Sequence, residues 1–308
     1  GMDVFRVASD AQSQRGISYA KRSCNASMWK ALGTFLLYYT AAGQIYTCRF
    51  SDAVWPQFLH FLGNGTALVI GANVGDTESD LTFRFLQSRF ALHLDKVFVE
   101  PIPESFRTLQ RNIAAMPRVR TIQAGVPDLE CVKSSCTHVK MFCLDSGNSS
   151  HSQAWLSQLC SMSRDRLRHP FDVAHVVKEN LPIVETLVQV IPMKDLLGYV
   201  PSAVVFLQVD VEGLEDQVIL QLPFSSAFRP GMIIFEYYLL SQERLLESLN
   251  YLVVHGYQFC MSRNNRDMIA LHMSSYRPKH LPTRGEQSKP YPTALDDETP
   301  VDTCLCLS

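Results

Sequence analysis

The sequence predicts an α/β chain built on a doubly wound, mostly parallel sheet with an antiparallel C-terminal hairpin. Three observations carry that prediction. Short apolar runs at Ala67–Ile70, Val97–Val99, Ala203–Asp210 and Gly231–Tyr238 suit parallel strands buried on both faces. Segments of helical period stand between them, and strand–helix alternation gives one sheet with helices on both sides. Two alternating runs, Tyr257–Ser262 and Asp267–Met273, follow in succession and read as a hairpin joined by Arg263-Asn264-Asn265-Arg266.

Bulk properties set the frame. A chain of 308 residues, 46% hydrophobic and 19% charged, can bury a sizeable core and is globular rather than disordered. A net charge of −2 argues against a nucleic-acid backbone as partner. Nine scattered cysteines include no C-x-x-C pair, so a structural zinc site is not expected. Their plain reading is free thiols in a reducing compartment, which favours the cytoplasm without fixing it. Asn25, Asn64 and Asn148 each open an N-x-S/T triplet, which matters only in a secreted chain. Ala31–Cys48 carries no charge, but its threonines, tyrosines and glycines favour a packing helix over a stable membrane span.

Taken in order, residues 1–65 read as a helical N-terminal extension, with helices at Ser27–Tyr39 and Asp52–Leu62. Asn64-Gly65 is a turn that launches the first core strand, Ala67–Ile70. Asp76-Thr77-Glu78 opens a helix with Leu81, Phe85 and Leu92 at helical spacing, its acidic first turn complementing the helix dipole. After Glu100, Pro103 sits where a helix start tolerates proline, and Phe106, Leu109 and Ile113 form the inner stripe to Met116. Val119–Ala124 is a third strand. His138–Leu144 and Glu185–Ile191 alternate like antiparallel strands. Residues 146–183 between them read as an insertion folded over the ligand edge as a lid. Its Arg164, Arg166, Arg168, Lys178, His151, His169 and His175 are read as solvated rather than catalytic. Met193–Tyr199 and Leu214–Leu222 are helices. Gln242–His255 is amphipathic through Leu245, Leu246, Leu249 and Leu252, and Gly256 closes it. The core domain spans 66–273. Residues 274–308, polar and proline-rich, read as a disordered tail.

Chemistry concentrates where strands end. Gly71-Ala72-Asn73-Val74-Gly75 follows the first core strand directly, and its glycines allow a sharp turn and a close ligand approach. A nicotinamide dinucleotide calls for G-x-G-x-x-G. This chain has G-x-x-x-G, without the third glycine. S-adenosylmethionine has no phosphate and needs only close backbone approach and an acid for its ribose hydroxyls; Glu100 ends the next strand. Asp210 and Glu236 also end strands, and Glu212 lies two residues past Asp210. In a parallel sheet those ends converge, so distant acids gather at one edge. Asp210 or Glu212, beside an acceptor, can take its proton as the methyl bond forms. The same acids could suit a Mg²⁺-type ion, but nothing in their spacing enforces metal geometry and no metal site is expected.

These residues resemble the FkbM family of S-adenosylmethionine-dependent methyltransferases. The likeness rests on LVIGANVGDT (Leu68–Thr77), FVEPIPESFRTLQRNI (Phe98–Ile113), ETLVQVIPMKDLL (Glu185–Leu197), LQVDVEGLE (Leu207–Glu215) and IIFEYY (Ile233–Tyr238). It implies a Rossmann-like methyltransferase fold and S-adenosylmethionine as cofactor. It implies Gly71, Ala72, Asn73 and Gly75 around the donor's methionine part, Glu100 on its ribose, and Asp210 with Glu212 at the reaction edge. It also implies O-methylation of a small-molecule or glycan hydroxyl. Two positions depart from the family pattern: Val69 stands where an acid is usual, and Gln208 where Lys is often found. A non-catalytic S-adenosylmethionine-binding module is the alternative from another class; a nicotinamide oxidoreductase ranks below it.

Overall fold

The computed structural model of the protein describes residues 39–40, 43–44, 49–50, 63–75, 81–144, 159–164, 167, 182–262 and 266–272. The helix expected at 27–39, apart from Tyr39, which lies in a strand, the helix expected at 52–62, the acidic helix opening at 76–78, most of the 146–183 insertion, the hairpin turn at 263–265 and the 274–308 tail lie outside them.

The strands are β1 (Tyr39–Thr40), β2 (Gly43–Gln44), β3 (Arg49–Phe50), β4 (Thr66–Ile70), β5 (Asp95–Val99), β6 (Val119–Ile122), β7 (His138–Leu144), β8 (Cys160–Ser161), β9 (Ile183–Gln189), β10 (Val204–Val209), β11 (Met232–Glu236), β12 (Tyr257–Ser262) and β13 (Asp267–His272). The helices are α1 (Leu81–Gln87), α2 (Pro103–Asn112), α3 (Leu129–Ser134), α4 (Met193–Leu196), α5 (Glu215–Ile219) and α6 (Gln242–Val254). The charge-free 31–48 stretch is not one continuous helix, because β1 and β2 pair within it.

The main sheet runs β3-β12-β13-β11-β10-β4-β5-β6. Neighbours are parallel except β13, which is antiparallel to both β11 and β12. After β3 at one edge, the chain crosses to β4 in the interior, winds outward through β5 to β6, then returns to β10 on the other side of β4. Order therefore reverses between β4 and β10, and the crevice outside that switch point is where open α/β sheets bind ligands. The hairpin expected at the C-terminus is β12–β13.

Strict alternation sorts the core into two layers. Leu68, Ile70, Val97, Val99, Leu207, Val209, Ile233 and Phe235 face Met193, Leu196, Val218, Ile219, Leu249 and Leu252 from α4, α5 and α6. Ala67, Val69, Phe98, Phe206, Met232 and Ile234 face Phe83, Phe85, Leu86, Leu109 and Ile113 on the opposite side. Leu92 does not join them. The helical run ends in a short 3₁₀ turn at Arg89–Ala91, and Leu92 beyond it is 51% exposed.

A second sheet, β8-β7-β9, is antiparallel. Here the cysteine reading is corrected. Cys131 and Cys136 form a disulfide, with Cα atoms 5.1 Å apart, and Cys143 and Cys160 form another across the β7–β8 pair, at 4.1 Å. Sequence spacing gave no sign of either, since the second closes only when two strands register.

Gly71 and Gly63 both have positive φ, of 82° and 74°, but their surroundings differ. A Cβ on Gly71 would overlap the Asp210 carbonyl oxygen, whereas one on Gly63 meets nothing within 4 Å. Gly63→Ala is expected to cost only the left-handed backbone penalty, about 1–2 kcal/mol. Gly71→Ala adds a backbone clash and should leave too little stability for a cooperative urea transition; equal midpoints for the two variants would refute the close-contact account.

Candidate active site

The glycine turn is held in place before any ligand arrives. The Gly71 and Ala72 amides both donate to the Val99 carbonyl, at 3.0 Å each. The Asn73 amide donates to Glu100 Oε2 at 2.8 Å, and Asn112 Nδ2 donates to the Val74 carbonyl at 2.8 Å. Asn73 has φ +50°, a left-handed value that asparagine accepts more readily than most residues. Gly75 has no room for a side chain because Leu109 and Phe83 press against it. Both glycines thus meet demands of the protein's own packing, beyond the sharp turn and close ligand approach expected from the sequence.

Glu100 lies at the C-terminal end of β5, 5% exposed. Its second oxygen, Oε1, accepts from the Ile102 amide at 2.9 Å, so one carboxylate ties the glycine turn to the start of α2. Burial pushes its carboxyl up to about 7, against the pull of the two amide donors. Those donors occupy two of its roughly four lone-pair sites, and the rest can accept the two hydroxyls of a ribose. Gly71, Ala72, Asn73, Gly75 and Glu100 therefore form one contiguous wall at the end of β4 and β5, the residues that could hold a nucleoside.

Across β4 lies the second half of the edge. Asp210 follows β10, and its amide donates to the Ile70 carbonyl at 3.0 Å. Carboxylate oxygens of Asp210, Glu215 and Glu236 lie within 4.8 Å of one another. Asp267 pairs with Glu236 in the β11–β13 register. Burial raises the Asp210 carboxyl well above the usual range, and Glu212, Glu236, Glu215 and Asp267 raise it further. Glu236 is pushed up to about 9, by burial first and then by Glu212, Glu215 and Asp267, with Arg266 pulling the other way. Asp210 and Glu236 meet as the strand ends suggested. Glu100 shares their edge but stands two strands from Asp210 and three from Glu236, about 10 and 14 Å at ordinary strand spacing.

Glu212 occupies a left-handed backbone position, φ +56°, with Gly213 beyond it at +100°. Three separate groups hold this turn. Glu215, fully buried, accepts from the Val211 and Gly213 amides at 3.0 Å each. Arg244 on α6 donates to the Gly213 carbonyl at 2.9 Å and pairs with the buried Asp216 carboxylate. Ser161 Oγ, adjacent to the Cys143–Cys160 disulfide, donates to the Glu212 carbonyl at 3.1 Å. Sequence reasoning missed Glu215, Arg244, Ser161 and Asp267. A signal existed for Glu215 alone: an acid two residues past a glycine at a helix start, where it can bind free amides. The same three acids, Asp210, Glu215 and Glu236, are those that could contact a hard cation, although Glu215 already spends both oxygens on amides. Gln208 Oε1, two residues before Asp210, is buried with no hydrogen-bond partner among the described residues, and Val69 lies in the apolar core.

The methyltransferase FkbM domain family matches residues 70–259, more than half of the chain. The chain belongs to the FkbM methyltransferase family. An FkbM methyltransferase takes its methyl group from S-adenosylmethionine, and the wall from Gly71 to Glu100 lies inside the matched region. Among solved structures, this FkbM methyltransferase is similar to the precorrin-6y C5,15-methyltransferase from Geobacter metallireducens, with 10% identity, coverage of 74% of this chain and 93% of that one, and a TM-score of 0.34. It is also similar to the Methanococcus jannaschii fibrillarin pre-rRNA processing protein, with 13% identity, coverage of 68% and 66%, and a TM-score of 0.32. Likeness this distant bears on neither substrate nor site. No curated protein sequence matches the chain. Among the described residues, no helix is long and apolar enough to cross a membrane.

Two outcomes are expected of this arrangement. A carboxyl raised in the fold from 4.5 to about 9 favours folding fully below its unfolded value, and that contribution is lost as pH rises through the folded one. Glu236→Gln should therefore raise the melting temperature at pH 8, by about 2–4 °C per kcal/mol relieved, and the gain should vanish near pH 4; calorimetry at both pH values checks it. Ser161→Ala removes one neutral hydrogen bond, so amide exchange at Val211 and Gly213 should accelerate about fivefold, while exchange at Ala72 stays unchanged.

Proposed function

We propose that this methyltransferase acts on a hydroxyl oxygen of a small-molecule or glycan acceptor, with Asp210 as the group that receives the hydroxyl proton and Glu212 as the group that orients the acceptor. The observation that carries this reading is the meeting of Asp210 with Glu236 at the switch point, one strand from the glycine turn. S-adenosylmethionine, when bound, supplies an electrophilic methyl on a sulfonium and needs no covalent help from the protein.

What the chain's own residues contribute is position and proton handling. Glu100 holds the ribose through its spare lone pairs, and the amide-tied turn from Gly71 to Gly75 shapes the site of the methionine part. Their order before binding reduces the entropy lost on assembling the two reactants. A carboxylate whose conjugate acid is raised by burial is a stronger base than a free one, which suits a hydroxyl whose proton leaves as the new bond forms. Burial raises the proton affinity of Glu236 beside it as well, and Glu212, Glu215 and Asp267 raise it further. Tyr237 and Tyr238 follow β11 directly, and the Arg266 guanidinium lies 5.2 Å from the Tyr238 ring centroid. These groups give the acceptor side an aromatic, hydrogen-bonding rim suited to a polyhydroxylated molecule.

Two measurements test the reading. Glu100→Ala should weaken S-adenosylhomocysteine binding at least tenfold by calorimetry, while Asp210→Asn leaves it within about twofold and lowers methyl release to a hydroxyl-bearing acceptor pool by about 10²–10⁴-fold. Donor affinity of the wild type should also fall as pH drops below about 7, by up to tenfold per unit, because protonating Glu100 removes an acceptor for the ribose hydroxyls. Methyl release to an amine pool alone would move the assignment from oxygen to nitrogen. Donor binding without release to any pool would make the chain a binding module.

A further inference from the structure

Two features that take no part in the chemistry of methyl transfer point in one direction. The first is the pair of disulfides. Cys131–Cys136 ties α3 to the residues just before β7, and Cys143–Cys160 fastens β8 to β7. Closed structural disulfides are rare where thiol buffers are reducing and ordinary where the surroundings are oxidising. The second is Asn64-Gly65-Thr66, the one N-x-S/T triplet among the described residues. We propose that the chain matures in an oxidising, secretory-type compartment and carries an N-linked glycan on Asn64.

The turn is built to present that side chain. Gly65 is wedged inward: a Cβ there would lie 2.5 Å from Val205 Cγ1 and 2.6 Å from the Ala203 carbonyl. Gly63 on the other side is open, with nothing within 4 Å of a Cβ, and Asn64 between them is exposed. A bulky hydrophilic group on Asn64 thus projects into solvent and displaces no packed atom. Position on the sheet agrees. Asn64 precedes the N-terminal end of β4, whereas the glycine turn follows its C-terminal end, about 17 Å away over five residues. A glycan there leaves the ligand crevice open.

Order of events is also constrained. Thr66 is fully buried and its Oγ1 lies 2.8 Å from Ser202 Oγ. The triplet's hydroxyl is therefore readable only before β4 docks against Ser202, which places transfer on the unfolded chain. In that step the Asn64 side-chain nitrogen attacks the anomeric carbon of an oligosaccharide linked to a lipid diphosphate. The carbon–nitrogen bond forms, the carbon–oxygen bond to the diphosphate breaks, the lipid diphosphate leaves, and one amide proton is lost. Each disulfide forms by exchange with an oxidised protein disulfide, which takes up two electrons and two protons.

The test is peptide mapping, without reduction, of the full chain isolated from the cells that naturally make it. Enzymatic glycan release is run in heavy-oxygen water, which converts a modified asparagine to labelled aspartate. The expected result is labelled aspartate at position 64, with the 131/136 and 143/160 peptides found linked. Unlabelled asparagine at 64 overturns the glycan, whatever the thiols show. Four free thiols at these positions overturn the compartment. Asn64→Gln, which leaves Thr66 and its Ser202 bond untouched, should reduce the chain's mobility shift on a gel by one glycan while S-adenosylhomocysteine binding stays within about twofold; an unchanged shift would equally overturn the assignment. None of these readouts depends on methyl transfer.

Discussion

The contact between Gly71 and the Asp210 carbonyl is the constraint on which the rest of this edge depends. β4 and β10 are hydrogen-bonded parallel neighbours, yet the chain leaves them in opposite directions, β4 into the glycine turn and β10 into the Val211–Gly213 turn. For both turns to begin at the same level, their backbones must come closer than any Cβ permits. A glycine there allows the crevice to open directly at the switch point. Any other residue would push the two turns apart and separate the glycine turn from the acidic group.

The two halves of the edge meet the cost of burying acids in different ways. Glu100 has two amide donors and ties two elements together, so its charged form is partly compensated and its carboxyl rises only to about 7. On the other side of β4, several carboxylates converge with Arg266 as an opposing charge. Asp216 takes the guanidinium of Arg244 for itself, and that pair holds the turn while leaving the acid group its mutual repulsion. Repulsion of this kind destabilises the fold and raises proton affinity at the same place, a trade that sites handling protons commonly make.

Much of the architecture was legible because it rests on local pattern. Each core strand is a short apolar run, and period-two alternation along β4, β5, β10 and β11 maps residue by residue onto the two packing layers. Leu109, Ile113, Leu249 and Leu252 were readable from helical spacing for the same reason. Placement of Glu100, Asp210 and Glu236 at one edge followed from parallel topology, which puts every strand's C-terminal end on the same side. What escaped was pairing at a distance. Cys143 and Cys160 are 17 positions apart, and their bond depends on β7 and β8 being in register. Arg244 finds Asp216 only because α6 packs beside α5. Ser161 reaches Glu212 across 51 residues. Leu92 was misassigned because the helix stops before it, in a 3₁₀ turn that spacing alone does not reveal.

Ser161 also connects the two parts of the molecule that looked unrelated in sequence. β8 is only two residues long, too short to hold its place by ladder hydrogen bonds alone. The Cys143–Cys160 bond supplies what length does not, and it fixes the residue next in line against the Glu212 carbonyl. Glu212 sits at a left-handed position that costs a non-glycine residue about 1–2 kcal/mol, so its turn needs support from outside itself. Glu215 and Arg244 brace that turn from within the main sheet and its helices, and Ser161 braces it from the second sheet. The covalent link thus extends the rigidity of β7 to the backbone that carries Asp210 and Glu212. The small antiparallel sheet is, on this geometry, part of the scaffold of the acidic edge rather than an appendage to the fold.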